Sequence, residues 1–211
     1  MSRFQKFVAG DEAALHPNLR STAYQAVLNN SSDASSDFDA IVGIYKTTPS
    51  VDQKLSALSS LGSVSDVNLL HRLLTMVLDS ESVKPQDIIY PLGSVGQEGP
   101  TKTQKLDILW TWVTQNWSLL HERYKASLSL LGRCLQAAIS ARIGSEFVQT
   151  VESWARGDDL ATTEAKAQRT DQLKTALRPL EQSLEKVKGY TKWVERERTA
   201  LAQWVSTNQL A

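Results

Sequence analysis

The chain has 211 residues, with 23 basic and 23 acidic side chains and no formal net charge. This balance argues against a general electrostatic attraction to nucleic acid or to acidic membrane surfaces. Cys134 is the only cysteine, which excludes an intrachain disulfide, and no apolar run is long enough to span a bilayer. The start of the chain lacks a signal-peptide pattern, so we expect a cytoplasmic protein with a single domain over residues 1–211.

Apolar residues recur at helical spacing through the first 80 residues and predict four short amphipathic helices. Ser50 and Gln53 form a capping-box pattern before the third helix, and Gly62 after it predicts a left-handed stop. Short connections between such helices favour antiparallel neighbours. The residues predicted to face inward are Leu19, Ala23, Ala26 and Val27, then Phe38, Ile41, Val42 and Tyr45, then Val51, Leu55 and Leu58, then Val67, Leu70, Leu74 and Val77.

Residues 80–101 interrupt this pattern with three of the six prolines and three of the ten glycines. Proline removes backbone donors and glycine permits positive φ, so the composition predicts an ordered loop or a set of turns. A loop of this length inside a compact domain is often functional. The glycine spacing in GSVGQEG fits neither a dinucleotide fingerprint nor a P-loop, which favours a glycine-rich turn over a phosphate site.

Helical periodicity resumes at Thr101, where Thr101 and Gln104 form a second capping-box pattern. Further helices are predicted over 127–142 and 145–156. A long helical segment follows over about 164–207, which Pro179 should kink or interrupt. The tryptophans predicted to lie in the core are Trp110, Trp117, Trp193 and Trp204. Trp112 lies two residues from Trp110 and therefore points away from that apolar stripe.

The stretch HERYK, residues 121–125, begins like the zinc-binding motif H-E-x-x-H. Lys125 stands where the motif requires a second histidine, and a protonated lysine has no lone pair for a metal. The remaining histidines, His16 and His71, lie far away in the sequence. We therefore predict no metal site.

Cys134 and His121 are a possible nucleophile and base on paper, but no third group stands out to orient them. Cys134 lies in the apolar stretch LLGRCLQAAI, which is typical of a small buried residue. No catalytic residue and no cofactor are predicted.

Several stretches match one family in order and spacing. Their residues are Tyr45, Asp52 with Lys54, Leu61-Gly62, Asp66 with Leu69 and Leu70, Arg72 with Leu74, Val83 with Gln86 and Asp87, LWTWVTQNWSLLHERY, GSEFVQTVESWARGDD, and LEQSLEKVKGYTKWVERERTALAQWV. Together they resemble the C-terminal helical domain of gluzincin-type zinc aminopeptidases, which include the puromycin-sensitive and endoplasmic-reticulum enzymes. The resemblance extends from about residue 3 to residue 207.

This resemblance implies an all-α fold, an irregular α-solenoid of HEAT-like helix pairs with a concave face. In that family the zinc helix belongs to a separate upstream domain, so HERYK is a chance match and no catalytic residue can be carried over. The implied function is non-catalytic. The domain would act as a lid over the active-site cavity, bind the distal part of a peptide, and contact an aminopeptidase catalytic domain.

Two other functions stay open from the sequence. A free-standing copy would bind or transform a small molecule in its concave pocket, and a scaffold would use its helices for protein–protein contact. The candidate ligand-binding residues are Tyr90, Gln97 and Trp112, because they lie in or near the 80–101 loop or off the core stripe. The sequence leaves the ligand and the oligomeric state open.

Overall fold

The structure, a computed structural model, describes residues 2–97, 99 and 101–208, without the side chain of Leu128. These residues form helices and turns, with no strand among them, which confirms the all-α prediction. They divide into two compact units, residues 1–117 and 118–211, which are described separately. The single domain over 1–211 stays a prediction, because two packed clusters are compatible with one domain or with two.

In the first unit, one central helix packs against three neighbours. The helices are α1 (Arg3–Val8), α2 (Arg20–Asn30), α3 (Ala34–Thr47), α4 (Val51–Leu61), α5 (Val67–Leu78), α6 (Ile89–Val95) and α7 (Lys102–Gln115). Helix α4 contacts α2, α3 and α6. All four apolar residues predicted for the α3 stripe are buried, from Phe38 to Tyr45, which confirms the periodicity there.

Helix α2 buries a different face from the one predicted. Tyr24 and Leu28 are its buried residues, whereas Leu19 belongs to a 3-10 turn before the helix and is 58% exposed. The rings of Phe4 and Phe7 in α1 lie 6.0 and 6.3 Å from the Tyr24 ring. Large aromatic side chains dominate core energetics, so this cluster sets the orientation of a helix whose own sequence has no dominant apolar face.

The end of α4 depends on Gly62, but not through the predicted left-handed conformation. Gly62 has φ −70° and ψ −12°, which is ordinary right-handed geometry. A Cβ atom at this position would collide with the Pro91 carbonyl oxygen and the Ser94 hydroxyl, and would lie 2.9 Å from the Val95 nitrogen. Glycine is therefore required here by the close approach of α6.

The prediction of a loop over 80–101 is wrong for its central part. Pro85–Asp87 forms a 3-10 turn and α6 follows it, with Leu92 and Val95 buried. Pro91 lies in the first turn of α6, where its missing N–H would have no helical partner. Glu98 and Pro100 lie outside the described residues.

The two capping-box predictions have different outcomes. The Ser50 hydroxyl accepts a hydrogen bond from the Gln53 amide at 3.4 Å, but the Gln53 side chain bonds to Thr48 instead of returning to Ser50. Only half of that box is present. Thr101 precedes α7 without any side-chain capping bond, so the second box is absent.

The second unit is organised around its longest helix. Its helices are α8 (Trp117–Tyr124, which begins at the last residue of the first unit), α9 (Leu128–Ile139), α10 (Ser145–Arg156), α11 (Thr163–Lys174) and α12 (Leu177–Thr207). Helix α12 packs against α9 and α10. At Gly132 an added Cβ would lie 2.5 Å from Pro179 Cγ, so α9 and α12 also meet at a glycine. Pro179 lies in the first turn of α12 and therefore does not kink that helix. The predicted interruption of the long helical segment is the break between α11 and α12, just before Pro179.

Trp193 and Trp204 correct the core prediction. They are 50% and 55% exposed, although both lie on the apolar stripe of the sequence. Trp117 is buried as predicted and Trp110 is half-buried. The last buried residue of α12 is Thr191. The described residues of the helix beyond it are exposed or half-buried.

Replacement of Gly62 by alanine is expected to lower the free energy of unfolding by about 1–3 kcal/mol, because the new methyl group collides with the α6 backbone. Gly43→Ala is the matched control, since no atom lies within 4 Å of the added Cβ. That change should raise the free energy of unfolding by about 0.5–1 kcal/mol through helix propensity. Urea denaturation followed by circular dichroism measures both. Equal effects of the two substitutions would contradict the packing explanation.

Candidate functional site

A cleft of about 600 Å³ opens in the first unit beside the end of α3. We call it the Tyr45 cleft. Its walls come from the end of α3, the α3–α4 connection, the start of α4 and the segment that leads to the 3-10 turn. The lining residues are Tyr45, Lys46, Pro49, Val51, Lys54, Leu55, Glu81, Ser82, Lys84, Gln86 and Asp87.

Local hydrogen bonds hold the α3–α4 wall of the cleft. The Thr48 hydroxyl donates to Gln53 Oε1 at 3.0 Å and accepts from the Ser50 amide at 3.3 Å. The Ser50 hydroxyl caps α4 at the Gln53 amide. With Pro49 between the two helices, this connection has little conformational freedom. Lys54 therefore projects from a well-defined first turn of α4.

The opposite wall is built by a turn that follows α5. Asp79 accepts hydrogen bonds from the Ser82 hydroxyl at 2.6 Å and from the Glu81 amide at 3.1 Å. These contacts, led by the Ser82 bond, hold the pKa of the Asp79 carboxyl below its usual value. Buried Val83 then anchors the chain before the 3-10 turn. The turn presents Lys84, Gln86 and Asp87 to the cleft.

Tyr45 supplies a neutral hydroxyl to the cleft. Burial raises the pKa of the Tyr45 phenol, a hydrogen bond from the Lys84 backbone opposes that rise, and the nearby charge of Asp87 adds to it. The phenol therefore stays protonated near neutral pH and keeps a donor and an acceptor. Lys46, Lys54 and Lys84 contribute three cationic groups, against the carboxylates of Glu81 and Asp87.

The lining of the Tyr45 cleft offers groups for contact with a ligand and no nucleophile paired with a base. No serine, cysteine or threonine in it has a histidine base beside it, and the lining includes no histidine at all. Pro49, Val51 and Leu55 offer apolar contact, while the lysines, Tyr45 and Gln86 offer hydrogen bonds. This combination suits an extended ligand with apolar side chains and an anionic group.

The three residues predicted from the sequence lie outside the Tyr45 cleft. Tyr90 is 37% exposed near the start of α6, and Trp112 is half-buried in α7. The Gln97 Oε1 atom accepts a hydrogen bond from the Ser63 hydroxyl at 2.9 Å. None of the three lines the Tyr45 cleft, and their role in ligand binding stays a prediction.

The loop that Gln97 contacts also receives a buried lysine. Lys105 of α7 is 2% exposed, and its Nζ donates to the carbonyl oxygens of Gly62 at 3.4 Å and Ser63 at 3.3 Å. These are carbonyls at the C-terminal end of α4, where the helix dipole favours a cation. Burial lowers the pKa of Lys105. We interpret the contact as a helix cap supplied from a distant part of the chain.

His121 and Cys134 lie on different helices of the second unit and have different environments. Glu122, beside His121 in α8, pairs with Lys125 at 2.7 Å, which lowers the pKa of the Glu122 carboxyl. Cys134 is buried in α9, and this burial raises its pKa to about 12. A thiol with that pKa is a poor nucleophile.

The described residues contain neither a cluster of metal ligands nor a membrane-spanning helix. Within residues 2–97, 99 and 101–208, no three His, Cys, Asp or Glu side chains are grouped as ligands for a metal ion. In the same residues, no helix combines the length and the hydropathy needed to cross a bilayer.

Sequence reasoning had identified part of the Tyr45 cleft without recognising it as a site. Tyr45, Lys54, Gln86 and Asp87 were pattern positions of the family resemblance, whereas Lys46 and Lys84 carried no signal. Three of the pattern residues are polar side chains that are not fully buried. Polar side chains that are not fully buried are better suited to contacts than to core packing, and this was the available clue.

Comparison with known proteins gives one family and a consistent set of relatives. The ERAP1-like C-terminal domain family matches residues 1–188. The chain is 29% identical over 209 residues to Aminopeptidase 2 of Candida albicans, covering 98% of this chain and 20% of that protein. It is 28% identical to Aminopeptidase M1-B of Oryza sativa, covering 97% and 21%. It is also 28% identical to Aminopeptidase N of Canis lupus familiaris, covering 92% and 18%. The chain thus spans about a fifth of the length of these relatives.

The lowered pKa of Lys105 predicts a pH dependence of stability. Between the folded pKa and the higher unfolded pKa, the unfolded chain binds the proton and the folded chain does not, so stability rises with pH in that alkaline window. The unfolding free energy of the wild type minus that of Lys105→Met should therefore increase as the pH rises towards 10.5, by about 1.4 kcal/mol per unit of pKa depression. Urea denaturation at several pH values measures this difference. A difference that does not change with pH would contradict the expectation.

The raised pKa of Cys134 predicts that the native protein resists thiol reagents. Labelling with a disulfide-exchange reagent at pH 8 should proceed at least a hundred times more slowly in buffer than in concentrated urea, since the folded thiol is both buried and protonated. Absorbance of the released thiolate measures the rate. Equal rates in the two conditions would show that Cys134 is accessible.

Proposed function

Because the chain belongs to the ERAP1-like C-terminal domain family, we propose that it is a non-catalytic lid domain. In this role it receives the distal part of a peptide whose N-terminus occupies an aminopeptidase catalytic domain. Catalysis would rest with residues outside this chain, since the relatives are about five times as long.

The observation that carries this proposal is the composition of the Tyr45 cleft. A peptide offers backbone donors and acceptors, side chains of mixed polarity and a terminal carboxylate. Tyr45 and Gln86 match the backbone groups, Val51 and Leu55 match apolar side chains, and the lysines match the carboxylate. A cleft of about 600 Å³ accommodates a few residues rather than a whole peptide, which fits recognition of one distal segment.

The proposal includes the irregular α-solenoid of HEAT-like helix pairs with a concave face. Its support is that neighbouring helices in the sequence pack on each other within each unit, as α2 does with α3, α3 with α4, and α10 with α11. Nearest-neighbour packing is the property that defines solenoid architectures. In this arrangement the ligand would be a peptide or, in the alternative, a small molecule.

Peptide binding can be measured by fluorescence anisotropy with a short labelled peptide that carries leucine and glutamate in its C-terminal half. We expect the double substitution Lys54→Glu and Lys84→Glu to weaken binding about tenfold or more, which corresponds to about 1.4 kcal/mol. Lys6→Glu is the matched control, since Lys6 is exposed in the same unit and lies outside the cleft.

Equal affinity of the wild type, the cleft variant and the control would reject the Tyr45 cleft as the peptide site. No binding by the wild type up to millimolar peptide, together with tight binding of a small molecule, would favour the small-molecule alternative. Circular dichroism spectra of all three proteins establish that the charge reversals leave the helices intact.

A further inference from the structure

Helix α12 continues for more than four turns beyond its last buried residue. From Lys192 to Asn208 every side chain is exposed except Val194 and Glu197, which are half-buried. This segment is about 25 Å long at 1.5 Å per residue. A helix of that length without tertiary packing is marginally stable in water. Among the described residues of its own unit, the segment therefore lacks the burial that usually stabilises such a helix.

The exposed segment and the turn before it carry an apolar stripe. The α12 stripe consists of Tyr190, Trp193, Leu201, Trp204 and Val205. Tyr190 and Trp193 are three residues apart, and Leu201 and Trp204 repeat that spacing eleven residues later. Eleven residues make about three helical turns, so the two pairs lie in line on one face. The five side chains are between 38% and 55% exposed.

A neighbouring loop and one ion pair lie next to the residues of the stripe. The Gly144 amide donates to the Thr191 hydroxyl at 2.8 Å, which ties the loop that carries the exposed Ile143 to the residue after Tyr190. Arg196 and Glu197 pair at 2.5 Å between the two apolar pairs. Glu197 lies four residues after Trp193 and four before Leu201, so it belongs to the same face as the stripe, and its charge is paired there with Arg196.

We propose that the α12 stripe is the surface on which the remaining part of an aminopeptidase chain packs, through an apolar groove that accepts Trp193 and Trp204. This inference rests on the proposed function in one respect, that the chain acts as the C-terminal domain of such an enzyme. Tryptophan is among the side chains that most often dominate binding at an interface.

The size of the stripe favours this partner over a second copy of the chain. Five side chains that are each about half exposed leave on the order of 500 Å² for a partner, since a buried aromatic side chain covers about 150–250 Å². A stable complex of separate proteins needs about 800 Å² on each side. A partner in the same polypeptide needs less, because covalent linkage gives a high effective concentration. The relatives have such a partner, since four fifths of their length lies outside the region matched by this chain.

The decisive experiment is a chimera in which this chain replaces the matched fifth of Candida albicans Aminopeptidase 2. We expect the chimera to melt in one transition, and the double substitution Trp193→Gln and Trp204→Gln to lower its melting temperature by several degrees or split the transition in two. Leu177→Gln is the matched control, because Leu177 is 48% exposed in the same helix and lies off the stripe. It should leave the transition unchanged.

Three outcomes would overturn the inference. The first is a wild-type chimera whose two parts melt separately, and the second is equal melting of the stripe variant and the control. The third is a dimer of the isolated chain in sedimentation that the same double substitution abolishes, which would make a second copy the occupant. Circular dichroism of the isolated chain shows whether α12 persists in the variants.

The same variants separate this inference from the proposed function. The stripe variant should bind the labelled peptide with wild-type affinity, because the Tyr45 cleft belongs to the first unit. If the stripe variant destabilises the chimera but still binds the peptide, the result supports the α12 stripe as the packing surface. If the stripe variant destabilises the chimera and the wild type binds no peptide, only the Tyr45 cleft is rejected as the peptide site.

Discussion

The end of helix α4 is the constraint on which the first unit depends. The end of α4 meets the backbone of α6 and the side chain of Lys105 from α7 there, and both contacts restrict its position. Gly62 has no side chain, so the α6 backbone approaches the helix end more closely than any other residue would allow. Lys105 reaches the same end from α7 and donates to the carbonyl oxygens of Gly62 and Ser63, which directly follow the helix. A buried ammonium group is costly, and here it is offset by those carbonyls and by the helix dipole.

The Tyr45 cleft lies around the opposite end of the same helix. Because the C-terminal end of α4 is held by α6 and α7, its first turn has a defined position, and Lys54 faces the turn that carries Lys84, Gln86 and Asp87. The cleft and the α12 stripe belong to different units. In our proposals one unit therefore binds the ligand and the other attaches the domain to its enzyme, so the two functions can be altered independently.

The helices and much of the core were predictable from the sequence, while their faces were predictable only in part. The stripe of α3 was correct because four apolar residues at helical spacing left one choice. In α2 small apolar residues suggested one face, and the aromatic contacts of Tyr24 with α1 selected another. Residues 85–95 looked like a loop because prolines and a glycine were counted as breakers, although Pro91 lies in a first turn, where proline is tolerated. None of the three predicted ligand residues lies in the Tyr45 cleft, because the cleft joins segments that are distant in the sequence.

By itself the sequence determined the all-α class, the family, and the lack of a second histidine in HERYK, because these depend on periodicity, motif order and residue chemistry along the chain. Only the tertiary structure decided which lysines share a cleft, why residue 62 is glycine, and that Trp193 and Trp204 are exposed. Periodicity shows that a helix has an apolar face, but it does not show what covers that face. Burial depends on neighbours that are remote in the sequence. In the described part of its own unit, α12 has no such neighbour that buries a residue beyond Thr191.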